Sequence, residues 1–202
     1  MSGFPILIEG AGVRALVVGG GAVAVRKATA LLDAGAHVRV VAPAIAQPLH
    51  DRVSGGRLEL MTRTYATSDI ADAQLVVVAT DDRAVNAAAA LDARTAGRLV
   101  NVADAPGEGS FSTMATHRLG ALIVGVSAGG VPSAAARIRD AIAMRFDARY
   151  ASALSDLSAL RRRLLDDGKG ESWRRRADLL IDERFCDAVE SGELAARVSA
   201  WR

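Results

Sequence analysis

The chain has 202 residues, half of them hydrophobic and 24% charged, with a formal net charge of +2. That length suits one ordinary domain with a smaller appendage. The charge is too mild for a nucleic-acid surface, and the single cysteine, Cys186, excludes an internal disulfide framework. No basic leader precedes an apolar stretch, and no apolar run approaches the ~18 residues of a membrane span. A protein of the reducing cytoplasm, with no membrane or nucleic-acid partner, is therefore expected.

Val13 to Val18 is a short, β-branched apolar run leading into Gly19, Gly20 and Gly21, which predicts a buried strand ending in a tight turn. Ala22 to Ala34 sets Val23, Ala30, Leu31 and Ala34 at helical spacing before Gly35, a residue that suits the end of a helix. His37 to Val41 reads as a second strand, closed by Pro43, which cannot donate to a ladder. Leu58 to Met61, Leu75 to Ala79 and Leu99 to Val102 continue the strands, with helical stretches at Ala44 to Val53 and Arg83 to Ala96. Such alternation implies parallel pairing with right-handed crossovers, and continuously apolar strands imply a sheet covered on both faces. The predicted class is α/β: a Rossmann-type doubly wound parallel sheet.

After Asp104 the pattern changes. Phe111 to His117 and Ala121 to Ser127 read as strands joined through Arg118-Leu119-Gly120, a hairpin. A lone hairpin is marginal in water, so pairing with the first sheet or another subunit is expected. Ser133 to Trp201 reads as three or four helices. Residues 1–113 carry ten basic against eleven acidic residues, and residues 114–202 fifteen against twelve. The basic excess, including Arg161 to Arg163 and Arg174 to Arg176, fits either solvated helix faces or a polyanionic partner.

Gly19-Gly20-Gly21-Ala22-Val23-Ala24 satisfies G-x-G-x-x-G/A between a predicted strand and a predicted helix. In that setting Gly19 permits the turn, Gly21 admits a pyrophosphate to the backbone, and Ala24 lets the helix lie close to the strand. The helix start then offers free N–H groups to the phosphates. The acid expected about 20 residues on is absent, because the second strand ends Val40-Val41-Ala42-Pro43. The motif alone therefore leaves NAD and NADP undecided.

Ligands of such sheets sit at the carboxyl ends of the strands, where Thr80, Asp81 and Asp104 fall. Asp104 suits a general base or a cap for the Ala105-Pro106-Gly107 turn. Asp82 suits the N-cap of the helix from Arg83, and Asp81 suits either a second cap or the nicotinamide end. His117 is the hairpin's one histidine, and a lone histidine is more often a packing residue than a ligand. No Cys or His cluster has ligand spacing, so no preformed metal site is expected.

Five ordered motifs carry a resemblance: Val18-Gly-Gly-Gly-Ala-Val-Ala-Val-Arg-Lys27, Val41-Ala-Pro43, Ala79-Thr-Asp-Asp82, Asn101-Val-Ala-Asp-Ala-Pro106 and Val126-Ser-Ala-Gly-Gly130. Over residues 4 to about 140 the chain resembles the siroheme-synthase N-terminal family of precorrin-2 dehydrogenases and sirohydrochlorin ferrochelatases. The resemblance implies a homodimer in which NAD⁺ oxidises precorrin-2 to sirohydrochlorin, and in which some members also insert Fe²⁺. It implies an NAD-binding domain over 1–113, a dimerisation region over 114–149 and a helical domain over 150–202.

By the same resemblance Asp104 is the catalytic residue, and Gly21, Ala22, Val23, Pro43 and Ala44 contact the cofactor, NAD, beside Gly19, Thr80 and Asp81. Ser127, Gly129 and His117 are the candidate substrate contacts. The chain departs from its relatives at Ala128, where serine is common, and at Pro132-Ser133, where Ser-Pro is common, which leaves contacts or modification at those serines open. It ends without a methyltransferase domain, so synthesis of precorrin-2 itself is not expected. The rival reading is a non-catalytic NAD-sensing module, which needs no acid placed like Asp104.

Overall fold

The computed structural model describes residues 3–201; residues 1, 2 and 202, the outer limits of the expected domains, lie outside the described residues. The chain divides into two compact units, one ending at Thr113 and the other starting at Met114.

In the first unit β1 (Arg14–Val18), α1 (Ala22–Asp33), β2 (His37–Ala42), α2 (Gln47–His50), β3 (Leu58–Thr62), β4 (Leu75–Val78), α3 (Arg83–Thr95) and β5 (Leu99–Val102) follow in order. The five strands form one sheet in the order β3-β2-β1-β4-β5, every pair parallel, as the alternating pattern predicts. Val17 and Val77 turn toward α1, whose buried face is Ala24, Ala28 and Leu32. Val18, Val78 and Val102 turn toward α3 and its Ala89, Ala90 and Ala93. Alanine on the buried helix faces lets both helices lie close to the β-branched strands. The order reverses between β1 and β4, and the crevice at that switch point is where open α/β sheets bind ligands.

Two expectations in this unit need correction. The helix expected over Ala44–Val53 is only the single turn of α2 plus a 3₁₀ turn at Val53–Gly55. Pro48 suits only a helix's first turn, and Gly55-Gly56 ends the 3₁₀ turn before it can lengthen. The first hairpin strand does not begin at Phe111. Phe111 instead packs on the core under α1, and the N–H groups of Ser110 and Phe111 donate to the Val100 carbonyl.

The second unit opens with β6 (Ala115–Leu119) and β7 (Leu122–Val126), antiparallel with Leu119 opposite Leu122. The connecting pair is Gly120-Ala121, and Gly120 supplies the positive φ of 56° that so tight a turn requires. The hairpin is a separate two-stranded sheet, packed by α4 (Pro132–Arg145). Then come α5 (Ala148–Asp166), α6 (Gly170–Leu180), α7 (Phe185–Ser191) and α8 (Glu193–Ser199), five helices where three or four were expected. The breaks around Gly168 and Gly192 are those that glycine marks in the sequence, and the extra ones fall at Phe146-Asp147 and Ile181–Arg184. Tyr150, Leu157, Leu160, Leu164, Leu180, Val189, Leu194 and Val198 form the core of this bundle. The buried Tyr150 hydroxyl donates to Glu190 Oε1 at 2.7 Å, as does Arg145 Nε. Among the described residues no helix is long and apolar enough to cross a membrane.

Asp69 is the buried acid of the first unit. It accepts the Ala66 N–H at 2.9 Å and is gripped by both terminal nitrogens of Arg63. Hydrogen bonding from that guanidinium holds its carboxyl below the usual carboxylate range. A folded-state value below the unfolded one stabilises above about pH 4 and stops doing so as pH falls through the folded value. Replacing Asp69 with Asn is expected to cost about 2 kcal/mol at pH 7. In urea melts the gap from wild type should close below about pH 4; a gap independent of pH would contradict the ion-pair account.

Candidate functional site

The site is built where segments following three strands pass close against one another. Gly19 adopts φ 124°, and a Cβ there would lie 2.2 Å from the Ala79 carbonyl oxygen. A Cβ on Gly20 would lie 2.1 Å from the Ala44 carbonyl oxygen. Hydrogen bonds complete the junction: Gly19 N–H donates to Val41, Ala79 N–H to Val18, and Ala46 N–H to Gly20. The ends of β1, β2 and β4 are thereby brought together with the exposed Pro43-Ala44 segment.

Gly21 differs from its neighbours, because nothing lies within 4 Å of the Cβ it lacks. It is the N-cap of α1 and has no side chain to cap it. The first helical bond is Val25 N–H to the Gly21 carbonyl, so the amides of Ala22, Val23 and Ala24 have no partner within the helix. Open space in front of free amides at a positive helix end fits a diphosphate. Ala24 is wholly buried under the turn, holding α1 against the sheet. These residues fit a dinucleotide.

The loop after β4 is fixed by a side chain that sequence reasoning missed. Asn86, on the buried face of α3, donates from Nδ2 to the Thr80 carbonyl at 3.0 Å. Its Oδ1 accepts from the Thr80 hydroxyl at 2.6 Å and the Thr80 N–H at 3.2 Å. The available signal was spacing, since Asn86 precedes Ala89, Ala90 and Ala93 at intervals of three, four and seven along one helix face. Asp82 caps α3 through the Ala84 and Val85 amides, as expected. Asp81 is exposed and makes no cap.

Asp104 lies on the loop after β5, beyond Ala103, whose N–H donates to the Val78 carbonyl. The carboxylate does not cap the Pro106–Glu108 turn, whose cap is Ala105. It is 40% exposed, and Arg83 Nε stands 4.0 Å from Oδ2. The following segment is clamped: Val100 N–H donates to Ser110 Oγ at 2.9 Å and Asn101 Nδ2 to the Phe111 carbonyl at 3.1 Å. Asn101 Oδ1 is buried with no partner among the described residues. Lys27 of α1, also missed from sequence, donates to Thr113 Oγ1 at 2.6 Å. Burial lowers its ammonium below the ordinary lysine value, and neighbouring Arg26 adds to the shift.

Gly19, Gly21, Ala22, Val23, Pro43, Ala44, Thr80, Asp81 and Asp104 thus all follow strands at one edge of the first sheet. The second unit does not group its three candidates. Ser127 and Gly129 sit in the loop before α4, whereas His117 Nε2 lies 2.7 Å from the Phe146 carbonyl at the other end of that helix. The strand register sets His117 opposite Val124, three residues or ~10 Å along the chain from Ser127, with its ring turned to the C-terminal end of α4. Among the described residues no group of three or more His, Cys, Asp or Glu could hold a metal ion.

A family model described as "Putative NAD(P)-binding" matches residues 6–115, and the chain belongs to that family. More particularly, it is similar over nearly its whole length to siroheme synthases, in agreement with the motif resemblance. That of Chromobacterium violaceum is 38% identical across 97% of this chain and 42% of its own. That of Pseudomonas paraeruginosa is 37% identical across 100% of this chain and 42% of its own. The chain therefore spans about two fifths of the length of these curated relatives. The solved structure of SirC, a precorrin-2 dehydrogenase, has the same fold, with a TM-score of 0.75 at 24% identity over 98% of this chain and 99% of that one.

Loss of the Asn86 amide would leave Thr80 with unpaired polar atoms. Replacement by Ala is expected to destabilise by about 1–3 kcal/mol, measured by urea unfolding; a change within ~0.5 kcal/mol would show that the loop is held by other means.

Proposed function

We propose that this chain oxidises precorrin-2 to sirohydrochlorin with NAD⁺ as hydride acceptor, using Asp104 as the base. The observation that carries the reading is the exposed Asp104 carboxylate at the same sheet edge as the open, glycine-lined start of α1, two strands away or ~10 Å. Similarity to siroheme synthases supports the substrate class.

Gly19 to Val23 would hold the diphosphate through backbone amides, with Pro43-Ala44 and Thr80-Asp81 flanking it. NAD⁺, when bound, supplies the acceptor for the hydride that leaves the reduced macrocycle. Asp104 takes the accompanying proton, and Asn86 keeps the neighbouring Thr80 loop in place. The same carboxylate is the proposed acceptor for pyrrole protons if Fe²⁺ enters sirohydrochlorin as a second substrate.

The proposed organisation is an NAD-binding part over 1–113, a dimerisation region over 114–149 and a helical part over 150–202, in a cytoplasmic homodimer. The unpaired outer edges of the two-stranded β6-β7 sheet support the dimer. Sedimentation should give twice the 21.0 kDa chain mass, and a monomer would remove this part of the proposal.

Purified protein supplied with precorrin-2 and NAD⁺ is expected to generate the absorbance of sirohydrochlorin. Asp104→Asn should lower kcat at least ~100-fold while still binding NAD⁺. Normal turnover by that variant would refute the assigned base. NAD⁺ binding by wild type without turnover or affinity for sirohydrochlorin would favour the sensing module. Formation of siroheme on adding Fe²⁺ and sirohydrochlorin, lost in Asp104→Ala, would establish the second activity.

A further inference from the structure

Two carboxylates of the loop after β5, Asp104 and Glu108, share the guanidinium of Arg83, at the start of α3. Arg83 Nε stands 4.0 Å from Asp104 Oδ2, and Nη2 of the same guanidinium donates to Glu108 Oε1. Arg94 holds the other side of that turn by donating to the Glu108 carbonyl. A substrate bearing several carboxylates would be repelled by that acidic pair unless a positive group received one of them.

Burial distinguishes Arg83 from Arg63, the arginine that follows β3. The carboxylate paired with Arg63 is 5% exposed and carries a backbone hydrogen bond besides, so that pair is locked. The carboxylates beside Arg83 are 40% and 37% exposed, and Arg83 itself is 52% exposed. Exposed pairs of this kind contribute little and exchange readily. A guanidinium presents its donors as a planar fork, able to accept an incoming carboxylate on two parallel N–H bonds.

We infer that Arg83 receives one carboxylate of the macrocyclic substrate, exchanging Glu108 for it and seating the ring beside Asp104. Glu108 is then a place-holder that competes with substrate, and Arg83 contributes to substrate specificity. The inference rests on the tetrapyrrole reading above.

Steady-state kinetics with precorrin-2 and NAD⁺ test it on wild type, R83Q, R83K and E108Q. R83Q should raise KM for precorrin-2 about tenfold, the worth of one charge-assisted contact, with kcat within ~3-fold and KM for NAD⁺ within ~2-fold. R83K should restore part of the loss, and E108Q should lower KM for precorrin-2 by removing the competitor. An R83Q enzyme whose precorrin-2 KM stays within ~2-fold of wild type overturns the inference, as does a fall in kcat at constant KM. Should R83Q fail to fold, an E108Q enzyme with undiminished KM has the same force. Failure of wild type to turn over precorrin-2 sinks the dehydrogenase reading and this inference together, whereas normal turnover with an indifferent R83Q sinks the inference alone.

Discussion

At Gly19 and Gly20 backbone from three strands runs so close together that one added methyl group would occupy the space of a carbonyl oxygen. That crowding is what the dinucleotide-binding edge depends on. It draws the ends of β1, β2 and β4 to a point and leaves Gly21 facing open space at the start of α1. The amides there are free because the helix has no earlier turn to receive them and no capping side chain to take their place. A site for negative charge arises from backbone geometry, with no cationic side chain needed to create it.

The acidic side of the edge is organised differently. Its position depends on side chains: Asn86 on the Thr80 loop, Ser110 and Asn101 on the return segment, and Arg83 with Arg94 on Glu108. The glycine-lined half is thus fixed by steric necessity, and the half bearing Asp104 is held by a set of replaceable hydrogen bonds.

Much of this was legible in the residues. Strand and helix periods specified the parallel sheet because β1, β2, β4 and β5 are largely buried on both faces and each helix on one. The glycine motif was recognisable because only its spacing satisfies a turn, a close approach and a helix start at once. What escaped were features decided by tertiary contact. Asn86 looks like any polar residue on a helix until the Thr80 loop closes over it. Phe111 has the composition of a strand residue, yet it joined the core under α1, where the Val100 carbonyl of β5 accepts its N–H and that of Ser110. His117 could not be assigned from sequence, since its partner is the Phe146 carbonyl, 29 residues away.

Phe111 also decides where the nucleotide-binding half ends. Pattern changes at Asp104 suggest a boundary near Ala105, but the chain continues across the sheet's α1 face, tied by Asn101 and by Lys27 to Thr113. An excised fragment stopping at Ala105 would lose an aromatic plug and bare the flank of β4 and β5 to water, inviting aggregation. A fragment retaining Thr113 would keep its own seal, so the natural seam of the protein lies eight residues past the point its composition advertises.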